Sequence, residues 1–176
     1  MRLSFASIVA VVVLFLSVAC VCSAQGAPSA QERMRVPNIS LKTIEGKIWQ
    51  LADEKGSLVI INFWATWCAP CRTEVPLLNK LALEKKDTGL KVVGIALDKE
   101  IPLVRTFIAE HKITYPILIP EPDSPLTRLE NTPTTLLIDR SGHLAFKYIG
   151  AVPEADLRRD LELLERETDS ASHLLN

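Results

Sequence analysis

The chain has 176 residues, 48% of them hydrophobic and 23% charged, which suits one ordinary globular domain with an N-terminal extension. Its 20 Lys and Arg against 21 Asp and Glu leave a net charge of -1, with no basic cluster. That balance gives no electrostatic argument for nucleic acid, and no nucleic-acid partner is expected.

The first 24 residues are a different kind of sequence. Arg2 gives a weakly positive start, residues 8–16 are apolar without interruption, and Cys22-Ser23-Ala24 before Gln25 suits a signal-peptidase site. Two alternatives stay open. Ser17-Val18-Ala19-Cys20 resembles a lipobox, with serine where leucine is usual, and residues 3–22 approach the ~20 needed for an uncleaved anchor. All three place the domain outside the cytoplasm. The expectation is an exported, periplasmic protein, soluble or held at the membrane by its N-terminus or by a lipid on Cys20. Cleavage after Ala24 would also remove Cys20 and Cys22, so that Cys68 and Cys71 would be the mature chain's only cysteines.

Residues 25–36 are small and polar and read as a flexible linker, with the folded domain expected over 37–168 and a frayed tail over 169–176. Residues 39–42 and 48–51 alternate around Glu45-Gly46-Lys47, the pattern of an edge hairpin. Residues 58–64 are almost continuously apolar, as a central strand buried on both faces should be. A helix is predicted over 73–86, with Val75, Leu78, Leu81 and Ala82 on one face and a kink at Pro76. A buried strand follows at 90–97, a helix at 102–110 and a short strand at 115–119. The proline-rich stretch 120–125 excludes a regular element, and a short helix is predicted at 126–130. Strands at 134–138 and 144–149 make a hairpin, and a helix over 153–167 closes the domain. Helices between parallel strands and a terminal antiparallel hairpin give an α/β fold, a mixed sheet with helices on both faces.

Chemistry enters at Trp67-Cys68-Ala69-Pro70-Cys71, between the central strand and its helix. A helix N-terminus favours a thiolate, so a cysteine pKa of about 8.5 can fall towards 7 or lower. The two-residue spacer keeps the sulfurs within closing distance, which points to reversible dithiol–disulfide exchange. A structural disulfide remains an alternative. So does half a zinc site, although no second Cys or Cys/His pair follows and His111, His143 and His173 are scattered. No metal site and no cofactor beyond the Cys68–Cys71 pair is expected.

The run from Phe63 to Cys71, together with Thr132-Pro133-Thr134-Thr135 further on, resembles the thioredoxin superfamily. Closer still is its similarity to exported reductases of the TlpA/ResA/DsbE type, which the N-terminal hairpin and an extra βα unit between the motifs also match. The resemblance implies that Cys68 is the exposed attacking thiol and Cys71 the buried resolving one. It implies a cis Thr132–Pro133 bond, with Trp67, Pro70, Thr132 and Pro133 meeting the substrate. It also places Glu74 near the cysteines, one helical turn beyond Cys71, as the carboxylate that helps deprotonate it. Asn62 stands where cytoplasmic thioredoxin has a buried aspartate, and it is expected to be structural. Trp67 is expected to shield Cys68, Trp64 to be core, and Arg72 to be either a thiolate-favouring charge or a plain surface cation.

The function so implied is reduction of protein disulfides, with apocytochrome c as a substrate candidate and a membrane dithiol carrier as electron donor, carried out by a monomer. A general protein disulfide oxidant and a copper-binding thiol chaperone are the alternatives. A thiol peroxidase fits less well, because Cys68 has a close resolving partner.

Overall fold

The computed structural model describes residues 32–128 and 131–173, the side chains of 128 and 168–173 excepted. The leader over 1–24, with Cys20 and Cys22, and most of the expected linker lie outside the described residues.

In chain order the elements are β1 (Ser40–Thr43), β2 (Ile48–Gln50), β3 (Leu58–Trp64), α1 (Cys71–Glu84), β4 (Leu90–Ala96), α2 (Ile101–Glu110), β5 (Ile117–Ile119), β6 (Thr134–Ile138), β7 (Leu144–Ile149) and α3 (Glu154–His173). Short 3-10 turns lie at Leu51–Glu54, Lys86–Thr88 and Pro125–Arg128. The seven strands form one sheet in the order β2-β1-β5-β4-β3-β6-β7, with β3, β4 and β5 parallel and every other pair antiparallel.

All seven residues of β3 are buried, because side chains alternate between two covered faces. Leu58, Ile60 and Trp64 join the core beneath the helices, with Val75, Leu78 and Leu81 of α1, Val104 and Phe107 of α2, and Leu157, Leu161 and Leu164 of α3. Val59, Ile61 and Phe63 join the opposite core, closed by Leu51, Leu126, Trp49 and Val36. Helical cover therefore reaches both faces unequally: three α-helices on one, two 3-10 turns and the segment around Val36 and Ile39 on the other.

Element boundaries move for local reasons. Helix α1 starts at Cys71, two residues before expectation, because Pro70 at its N-cap already holds a helical φ of -67°. Strand β5 begins at Ile117, after Pro116, which lacks a ladder donor. Helix α3 continues to His173, through the start of the expected tail.

The expected linker also ends earlier than composition suggested. Leu144 N donates to Met34 O and Val36 N to Gly142 O, while the buried Arg33 pairs with Asp139 and Glu167. A buried cation needs such partners, and both lie more than a hundred residues downstream, beyond the reach of any local pattern.

Gly94 of β4 is a point of close approach. A Cβ there would meet Ile117 Cδ1 and Trp64 Nε1 at 2.8 Å and Tyr115 Cε2 at 3.2 Å. Gly94→Ala should lower unfolding free energy by about 1–3 kcal/mol through overpacking, read as a lower urea midpoint at unchanged m-value.

Candidate active site

Strand β3 ends at Trp64, whose carbonyl accepts from Leu97 N at 2.9 Å. The chain then turns, with Cys68 N donating to Ala65 O at 3.2 Å, and enters α1 through Pro70. The first amides of a helix have no intrahelical acceptor. Here Thr73 N and Glu74 N turn back to Pro70 O, whereas Cys71 N donates to Cys68 Sγ at 3.2 Å. Cys68 and Cys71 are joined in a disulfide, with their Cα atoms 5.3 Å apart. Cys68 is 5% exposed and Cys71 0%, so only the first sulfur offers an approach from solvent.

Behind the sulfurs lies a buried polar cluster. Glu74, 2% exposed, accepts from Thr135 Oγ1 at 2.8 Å and more weakly from Asn62 Nδ2 at 3.4 Å. Asn62 also donates to Thr135 Oγ1 at 2.8 Å, because β3 and β6 pair these two residues in register. Burial pushes the Glu74 carboxyl above the ordinary glutamate range, and the Thr135, Val152 backbone and Asn62 hydrogen bonds pull it back only in part. Tyr115 is also buried, and its phenol is pushed upward by burial and then by the charge of Glu74. Among the described residues, Asn62 Oδ1, Trp64 Nε1 and Tyr115 OH are buried without a hydrogen-bond partner.

The rim is mixed. Trp67 stands 69% exposed beside Cys68 in the chain, whereas Trp64 is fully buried with its ring 4.8 Å from that of Phe107. Arg72 donates to Thr66 O at 3.2 Å, and its guanidinium lies 5.8 Å over the Phe107 ring. The Thr132–Pro133 bond is cis, and Pro133 O accepts from Gly150 N. Asp98, just past β4, accepts from Thr66 N and Thr66 Oγ1. It also lines a cleft of about 830 Å³ walled by the Pro120–Asp123 stretch, the β1 end and the start of α2. Thr135, Tyr115, Thr66 and Asp98 were not singled out by sequence. Thr135 sits inside the quoted Thr-Pro-Thr-Thr motif, while Asp98 carried one weak signal, a polar residue directly after a buried parallel strand. No cluster of three metal-ligating side chains occurs among the described residues.

Comparison with known proteins agrees with this arrangement. The profile of the AhpC/TSA family matches residues 33–155. The thioredoxin-like protein YneN of Bacillus subtilis is 36% identical over 137 residues, covering 76% of this chain and 80% of the relative. The thiol-disulfide oxidoreductase ResA of Bacillus cereus is 31% identical over 148 residues, covering 78% and 83%. Among solved structures, the thioredoxin family thiol:disulfide interchange protein from Chlorobium tepidum TLS aligns with a TM-score of 0.68 at 30% identity, over 76% of this chain and 97% of that one.

A carboxyl raised by folding stabilises most below its unfolded pKa and loses that contribution as pH climbs through its folded value. The stability tied to Glu74 should therefore fall from pH 4.5 upward. Glu74→Gln should flatten that part of the profile, so that its stability relative to wild type improves between pH 4 and pH 8 in urea titrations.

Proposed function

We propose, on the premise that this chain belongs to the AhpC/TSA family and is a thiol–disulfide oxidoreductase of the ResA/DsbE type, that it works as a reductase of protein disulfides. The observation that carries the exchange chemistry is the Cys71 amide aimed at Cys68 Sγ at the head of α1. The reducing direction rests on the resemblance to reductases of the TlpA/ResA/DsbE type. A charge-assisted hydrogen bond of about 1.5–3 kcal/mol corresponds to roughly one to two pKa units, which makes Cys68 a thiolate near neutral pH.

In the reduced protein, Cys68 Sγ attacks one sulfur of a substrate cystine; the S–S bond breaks and the other substrate sulfur leaves as a thiolate that takes up a proton. Cys71 then loses its proton to Glu74 and attacks Cys68 Sγ. The bond between Cys68 and the substrate breaks, and the second substrate sulfur leaves as a thiolate that takes up the proton held by Glu74. The Cys68–Cys71 disulfide remains, so the substrate gains two electrons, one proton from Cys71 and one from water. A carboxyl that burial raises above the ordinary glutamate range exchanges protons with a thiol better than a surface glutamate does. Trp67, Pro70 and the backbone of Thr132 meet the substrate, with the buried Pro133 holding the Thr132 bond cis, and the cleft beside Asp98 takes up flanking chain.

The chain needs no cofactor beyond its own disulfide and acts as an exported, periplasmic monomer, soluble or tethered through its N-terminus or Cys20. A membrane dithiol carrier restores the dithiol, and the C-x-x-C-H segment of apocytochrome c is the candidate substrate. Among the described residues no helix is long and apolar enough to cross a membrane.

With a chemical dithiol as donor, wild type should reduce insulin and Cys68→Ser should not. Cys71→Ser should accumulate a mixed disulfide between Cys68 and substrate. A Cys68–Cys71 potential near the thioredoxin value of about -270 mV agrees with a reductase, whereas one near -120 mV would make the protein an oxidant. Glu74→Gln should slow resolution of the mixed disulfide by about 10–100-fold while leaving its formation nearly unchanged.

A further inference from the structure

The attacking cysteine sits on a loop, and one side chain from a neighbouring strand end fastens that loop. We propose that Asp98 is a positioning residue of the redox site, a clamp on Thr66 that sets where Cys68 Sγ lies against the first amide of α1. The inference rests on the reading of Cys68 as the attacking thiol.

Asp98 is 7% exposed. Thr66 N donates to its two oxygens at 3.0 and 3.2 Å, and Thr66 Oγ1 donates to Oδ1 at 2.5 Å. Arg72 Nη2 donates to the remaining polar group, Thr66 O, at 3.2 Å. All three polar groups of Thr66 are thus held, one from α1 and two from the end of β4. Thr66 lies two residues before Cys68, inside the turn closed by Cys68 N on Ala65 O. A carboxylate suits the task because both its oxygens only accept, whereas an asparagine would turn an amide donor towards a donor.

Two effects of Asp98 on the sulfur oppose each other. Its negative charge disfavours a thiolate, whereas the clamp favours one by keeping the sulfur 3.2 Å from Cys71 N. The charge is engaged by Thr66 and faces a cleft of mixed charge, lined by Lys99 and Asp123 and by Lys42 paired with Glu121, so water in the cleft screens it. The direct contact is lost steeply with small displacements. The clamp outweighs the charge.

The test measures the pH dependence of Cys68 alkylation by iodoacetamide in the reduced full chain, followed on the Cys68 peptide by mass spectrometry. The Cys68–Cys71 potential is measured in parallel against glutathione, with far-ultraviolet circular dichroism checking each variant's fold. Asp98→Ala and Thr66→Val should both raise the Cys68 pKa, slow alkylation at pH 7 by about threefold to tenfold, and make the couple more reducing. Asp98→Asn, keeping one acceptor, should fall between wild type and Asp98→Ala. Thr66→Val keeps the carboxylate and the Thr66 N bonds to it but loses the Oγ1 bond, so it tests the clamp even if Asp98→Ala fails to fold, with the smaller shift of the two. Alkylation at the wild-type rate or faster in folded Asp98→Ala or Thr66→Val, or an unchanged potential, would overturn the clamp. These readouts use only the chain's own cysteine pair. If wild type failed to reduce insulin while the variants still shifted Cys68, the reductase reading would fall and the clamp would stand.

Discussion

One backbone amide, that of Cys71, organises the chemistry of this chain. It is unpaired within α1 because a helix must begin somewhere, and it points at Cys68 Sγ because Pro70, the N-cap, already holds the helical conformation that turns the chain into α1. The rest of the fold holds that geometry still. Strand β3, buried along its whole length, fixes where the loop leaves the sheet, and the leucines and valine of α1 fix where the helix lies on it. A sulfur placed so is stabilised as a thiolate by contact, with the helix dipole adding up to about 1 kcal/mol.

The second half of the chemistry is set by burial. Glu74 lies on the inward face of the same helix, among Asn62, Thr135 and Tyr115, where a charge is poorly solvated. The site therefore contains two groups pushed in useful directions by different causes. On the proposed reading the Cys68 thiol is made more acidic by the first amide of α1, while the Glu74 carboxyl is made less acidic by desolvation. A carboxyl raised in this way is a better match for the proton of the Cys71 thiol than an ordinary surface glutamate is. Each hydrogen bond that Thr135 or Asn62 gives to Glu74 limits the shift, so a buried carboxylate is tolerated rather than expelled.

Where the chain order and the helical or alternating period were strong, the fold was legible in the residues. The apolar run of β3, the α1 face and the final hairpin fall where their patterns put them, and the Thr132–Pro133 bond is cis as the resemblance implied. Other features depended on contacts between distant residues. Arg33 reads as a polar linker residue until Asp139 and Glu167 are brought beside it. Thr135 and Asn62 become partners only through the register of β3 with β6. Asp98 meets Thr66 because parallel strands end side by side, which no spacing within one element encodes. Long-range pairing of polar side chains is where sequence periodicity carries least information.

The central claim is that α1 presents its first amide to Cys68 and so makes that sulfur acidic. Titrating the ultraviolet absorbance of thiolate in the reduced protein, with Cys20, Cys22 and Cys71 replaced by serine to isolate the Cys68 signal, tests it directly. The account predicts a thiolate step well below the free-cysteine value of about 8.5. A single step at or above that value would contradict it.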